Sequence, residues 1–145
     1  MNLSPCLNEL REEWLPHVTD AGLERIIDLL EKSSPLLIHG AFTRAVPMGC
    51  LATQIAWNHP RTCHLTLDAG VSWLNLVAGL NPATSLVIRE WDRAGTANFE
   101  IRSDLLAIFK EHRLTRNEKA GSRIRQDSVD ASESVDFGIL ANSAT

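Results

Sequence analysis

The sequence predicts an all-α fold: a single compact bundle of about six short helices over residues 1–114, then a disordered C-terminal tail over residues 115–145. Three observations predict it. Apolar residues recur at helical spacing through most of the first 112 positions, as in Leu23, Ile26, Ile27 and Leu30. Cap residues and prolines cut that pattern into short lengths at Ser4-Pro5, Pro16, Thr19-Asp20, Ser33-Ser34-Pro35 and Asn81-Pro82. The one strand-like run, Leu36-Leu37-Ile38, finds no evident partner, so it reads as chain crossing the core. At 145 residues with 44% apolar and 22% charged, the chain has the size and balance of one ordinary globular domain.

The bundle is organised around Pro47 to Pro60. Leu51, Ala52, Ile55, Ala56 and Trp57 leave this short helix with almost no polar face, which places it in the middle of the core. In chain order, the first helix opens at Ser4-Pro5 and carries Leu7, Leu10, Trp14 and Leu15, with Glu9, Glu12 and Glu13 on its wet side. The second opens at Thr19-Asp20 and bears the clearest amphipathic stripe. His39 to Arg44 is a loop, the central helix follows, and a polar passage runs through Arg61, Thr62, Cys63 and His64. Asp68 caps a helix with Val71, Leu74, Val77 and Ala78 that closes at Gly79. Asn81-Pro82 starts another, with Leu86, Val87, Ile88 and Trp91, ending near Gly95. The last runs from about Asn98 with Ile101, Leu105, Ile108, Phe109 and His112 on one face. Trp14, Trp57, Trp73 and Trp91 fall on different elements and are the expected anchors of the core.

Residues 115–145 hold too few large apolar groups to fold alone. Arg116, Lys119, Arg123 and Arg125 precede Asp127, Asp130, Glu133 and Asp136, and an apolar island follows. Within it Phe137, Ile139 and Leu140 are the residues through which the tail would dock on a partner.

Composition narrows the function classes. A net charge of −4 gives no overall electrostatic footprint for nucleic acid. No apolar run reaches bilayer length, and no basic start followed by an apolar stretch is present, so a cytoplasmic protein without membrane contact is expected. Cys6, Cys50 and Cys63 are odd in number and irregularly spaced, which favours free thiols.

Three constellations carry candidate chemistry. Cys50, at a helix start where backbone N–H groups lower a thiol's pKa, is the candidate nucleophile, with His59, or else His39 or His64, as its base. Cys50, His59, Cys63 and His64 are the candidate metal ligands, although their spacing matches no zinc pattern. Residues 71–93 have the lengths of a helix-turn-helix. The turn Ala78-Gly79-Leu80-Asn81-Pro82-Ala83-Thr84 resembles that of bacterial repressors, which implies that Thr84, Ser85 and Arg89 face DNA. No glycine-rich phosphate loop and no cofactor motif occur, so no cofactor is expected.

A second resemblance rests on Gly40-Ala41-Phe42 with Arg44, Gly49-Cys50-Leu51, and Trp91-Asp92 with Gly95-Thr96. In these the chain is similar to a family of small helical proteins of unknown function from bacteria and their phages. The resemblance implies a helical fold and no activity. The expected function is therefore non-enzymatic: binding or regulating another protein through the helical surface and the tail. A DNA-binding regulator is the first alternative and a thiol enzyme the second.

Overall fold

The computed structural model describes the backbone of residues 3–138 and the side chains of residues 3–121. Chain punctuation sets the elements in order. Helix α1 (Ser4–Glu9) runs into a π-helical stretch (Leu10–Trp14) and a 3-10 turn (Leu15–His17), and then comes α2 (Asp20–Glu31). A hairpin of β1 (Thr43–Ala45) and β2 (Met48–Gly49) leads into α3 (Leu51–Ala56). Helix α4 (Ala69–Ser72) continues as a π-helical stretch (Trp73–Ala78), followed by α5 (Leu86–Ala94) and α6 (Phe99–Gly138). The fold is mainly α-helical, with six α-helices and one two-stranded sheet among the described residues.

Local chemistry explains most boundaries. Thr19 Oγ1 accepts from the Gly22 N–H at 3.0 Å and caps α2. Gly79 closes the Trp73–Ala78 stretch at φ 72°, a left-handed conformation natural to glycine. Asn98 Oδ1 accepts from Ile101 N–H at 3.0 Å and caps α6. One expected start moves: Asn81 forms a local turn to Ala83 N–H at 2.8 Å, and α5 begins only after Ser85, whose Oγ accepts from Ile88 N–H.

Helix α3 is the middle of the molecule, and all six of its residues are buried. Such a helix needs close neighbours on every side, and glycines allow them. A Cβ on Gly70 would lie 2.3 Å from Thr53 Oγ1, and one on Gly49 would lie 2.6 Å from Thr53 Cγ2. The buried Gln54 amide turns inward. Its Nε2 donates to Leu36 O and Pro47 O, each at 2.9 Å, with Gly49 O at 3.4 Å sharing the same donors.

Those bonds answer the question of Leu36-Leu37-Ile38. The run does pair: Ile38 N–H donates to Gly49 O at 3.1 Å and Gly49 N–H to Leu36 O at 3.0 Å, a single parallel bridge. Its partner, β2, is two residues long, too short for an alternating pattern to show.

Three tryptophans are fully buried. Trp14 and Trp73 meet edge-on with ring centroids 5.3 Å apart, each on one of the π-helical stretches. Trp73 Nε1 has no hydrogen-bond partner among the described residues. That costs about 1–3 kcal/mol, less than the roughly 3–5 kcal/mol that a buried Trp contributes by packing. Trp57 is only half-buried and reaches out to Thr66 O at 2.8 Å.

Glu9 does not sit on a wet face. The carboxylate reaches across to the start of α5, where Oε1 accepts from Leu86 N–H at 2.8 Å and Oε2 from Ser85 Oγ at 2.6 Å and Val87 N–H at 3.2 Å. Oε2 also accepts from Trp14 Nε1 at 3.0 Å. A carboxylate at a helix N-terminus is favoured by both the open N–H groups and the dipole.

The chain divides into two units, Met1–Lys110 and Glu111–Thr145. Helix α6 passes residue 114, where the sequence reading ends the helical domain, and its backbone is helical to Gly138.

Packing at Gly70 has a measurable consequence. Gly70→Ala should cost about 3 kcal/mol in urea unfolding, against roughly 1 kcal/mol for Gly79→Ala, where nothing lies within 4 Å and only the positive φ objects. Equal losses would show that the close approach to Thr53 does not govern the site. Likewise Glu9→Gln should lose about 2 kcal/mol while Glu12→Gln, on an exposed side chain, stays within about 0.5 kcal/mol of the parent.

Candidate functional site

A cavity of ≈ 630 Å³ opens beside the end of α2. Its apolar floor comes from Leu29, Leu37, Ile38, Met48 and Trp91, and its polar wall from Ser33, Ser34, His39, Arg44, Thr96 and Arg102. No carboxylate lines it.

The wall is built by three cross-links between the loop after Leu37 and the end of α5. Trp91 Nε1 donates to Ile38 O at 2.8 Å, Gly40 N–H to Asp92 Oδ1 at 2.8 Å, and Thr96 N–H to His39 Nδ1 at 3.1 Å. Gly95, at φ 87°, lets this chain pass under the imidazole, where a Cβ would stand 3.4 Å from His39 Nε2. Because Nδ1 is an acceptor, the neutral ring carries its proton on Nε2 and is a donor there. Arg102 Nη2 donates to Ser33 Oγ and, at 3.4 Å, to Leu30 O at the end of α2, a carbonyl that also accepts from Ser33 N–H. Arg44, exposed on β1, has no hydrogen bond or ion pair among the described residues.

The sequence-predicted residues are distributed otherwise. Cys50 precedes α3 and is buried, and burial pushes its thiol up to about 11, far from a nucleophile's range. Its Sγ lies 3.7 Å from Thr53 Oγ1 rather than against an imidazole. His59 Nδ1 accepts from Arg61 N–H at 3.1 Å. Partial burial, with Arg61 and His17 as neighbouring cations, holds its pKa below the usual histidine value. Cys63 and His64 are exposed, and no group of three or more His, Cys, Asp or Glu among the described residues is placed to hold a metal.

Of the three residues expected to face DNA, Thr84 and Arg89 are exposed, whereas Ser85 is buried and spent on Glu9 and Ile88 N–H. The link from Gly79 to Ser85 also exceeds the three- or four-residue turn of a helix-turn-helix. In the tail, Ile139, Leu140 and the Phe137 side chain lie outside the described residues.

Arg44, Thr96 and Arg102 are not among the expected site residues, and His39 is expected only as a possible base for Cys50. A signal for three of the cavity's positions did exist. The short motifs behind the family resemblance hold Arg44, Trp91 and Thr96, and the fold brings them to one cavity.

No protein family, curated protein or solved structure matches this chain. No helix among the described residues is long and apolar enough to cross a membrane.

Burial of Cys50 and Cys6, whose thiol burial pushes up to about 12, fixes their reactivity. Iodoacetamide at about pH 8 should label Cys63 alone in the native protein and all three thiols in denaturant. Rapid native labelling of Cys50 would restore the thiol-enzyme reading.

Proposed function

We propose that the chain is a non-enzymatic binding protein whose working site is this cavity and whose ligand presents an anionic group. The observation that carries the reading is Arg44: a guanidinium on a carboxylate-free wall with no protein partner among the described residues. His39, Ser34 and Thr96 line the same cavity. A wall so rich in donors, over an apolar floor, suits an acceptor-rich ligand with an apolar part. Residence in the cytoplasm belongs to the same proposal and is supported by the three free thiols.

The reading is tested by amide NMR titration of the full chain with acetate, benzoate and inorganic phosphate. Signals of His39, Arg44, Thr96 and Ala97 should move, and Arg44→Ala should weaken whichever anion binds best by at least about tenfold. Shifts confined to other residues, or indifference to Arg44→Ala, would remove the cavity from the functional account.

A second reading keeps the expected protein partner. Leu67 and Leu76 are 61% and 60% exposed, on segments tied to the region after α3 by Trp57 Nε1 to Thr66 O at 2.8 Å and Arg61 Nη1 to Leu76 O at 3.4 Å. If they dock a partner, Leu67→Asp with Leu76→Asp should abolish its capture while stability changes by less than about 1 kcal/mol. Unchanged capture rules out this face. The DNA-binding alternative retains only Thr84 and Arg89 and has less support.

A further inference from the structure

We propose that the cavity takes a small organic monocarboxylate with an apolar body. This rests on the anion-binding reading above and names the ligand class.

Charge selects the head group. Two guanidinium groups line the wall, but Arg102 already donates to Ser33 Oγ and Leu30 O. Arg44 is the one left with its full set of donors among the described residues. One planar fork matches one carboxylate, taking both oxygens through parallel N–H bonds. A phosphate dianion is ordinarily met by clustered backbone N–H groups at a helix N-terminus. At the starts of α5 and α6, Glu9, Ser85 and Asn98 already take the N–H groups of Leu86, Val87, Ile88 and Ile101.

Floor and size select the body. Leu29, Leu37, Ile38, Met48 and Trp91 give the cavity an apolar lining, of which Met48 is the most exposed part. The ≈ 630 Å³ volume falls within the ~300–1,000 Å³ of sites that enclose a small organic molecule. An acid with a hydrocarbon part covers that floor and reaches Arg44 together. His39 Nε2–H and the Thr96 hydroxyl remain as the further donors on the wall.

Calorimetry and amide NMR on the full chain test the class with butyrate, hexanoate, octanoate, octanamide and inorganic phosphate. Affinity should rise roughly fourfold per added methylene from butyrate to octanoate, and octanamide should bind at least about tenfold more weakly than octanoate. Arg44→Gln should weaken octanoate by about tenfold or more. Arg93→Gln, which removes a surface cation bonded to Glu90, should leave it unchanged. Arg44 is exposed and unpartnered among the described residues, so its replacement does not threaten folding.

Octanamide binding as well as octanoate, or octanoate binding that ignores Arg44→Gln, overturns the carboxylate assignment. Phosphate moving the His39, Arg44 and Thr96 signals while octanoate does not overturns the ligand class and leaves the anion-binding reading standing. Neither anion moving those signals overturns both.

Discussion

The structure depends on a helix that has no wet face. Leu51–Ala56 is buried on every side, so each neighbour must approach its backbone, and two do so through glycine. Gly49 and Gly70 press on Thr53, a residue whose hydroxyl is itself occupied with Cys50 Sγ and the Thr43 hydroxyl. Dense packing around a short helix explains why six residues, too few to be helical alone, are stable here. It also explains the fate of Cys50. The helix start that would activate an exposed thiol is sealed inside the core, and desolvation outweighs the favourable N–H groups.

From that helix the order spreads to the cavity through one amide. Gln54 holds Leu36 O, Pro47 O and Gly49 O, fixing the 36–38 run and β2 relative to α3. Leu37, Ile38 and Met48 are part of the cavity floor, so its shape is inherited from a buried side chain and not set by a loop. Glu9 performs the equivalent task for α5. By saturating Ser85, Leu86 and Val87 it aims that helix so that Trp91 and Asp92 meet the 38–40 loop. Two polar side chains, Gln54 buried and Glu9 half-buried, each with several backbone partners, thus do what apolar packing cannot, which is to fix direction.

This division marks what the sequence could tell. Helix class, the central place of Leu51–Ala56, the Thr19 cap and the Gly79 stop follow from periodicity and punctuation, because these are local effects. Glu9 defeats such reasoning. Its place in a run of acidic residues spells solvent, while three of its partners, Ser85, Leu86 and Val87, lie more than seventy positions away. The hairpin escapes for a different reason, since β2 has too few residues to show a period. The cavity is not legible in the sequence, where Gly40 to Arg44 and Trp91 to Thr96 are separate short motifs whose proximity is a product of tertiary folding.

Why the wall keeps Arg44 unpaired follows from the cost of the alternatives. A carboxylate beside an exposed arginine would add at most about 1 kcal/mol of stability, because water and salt screen the pair. It would also have to be displaced by any incoming anion. Leaving the guanidinium solvated costs the fold almost nothing, whereas in a cavity partly shielded from water the same group gains strength as a ligand closes over it. Arg102 shows the complementary choice: spent on Ser33 and the end of α2, it stabilises the wall and offers less to a visitor. One arginine therefore builds the site and the other is left to work in it. That asymmetry, more than the total positive charge, is what points to a ligand with a single negative group.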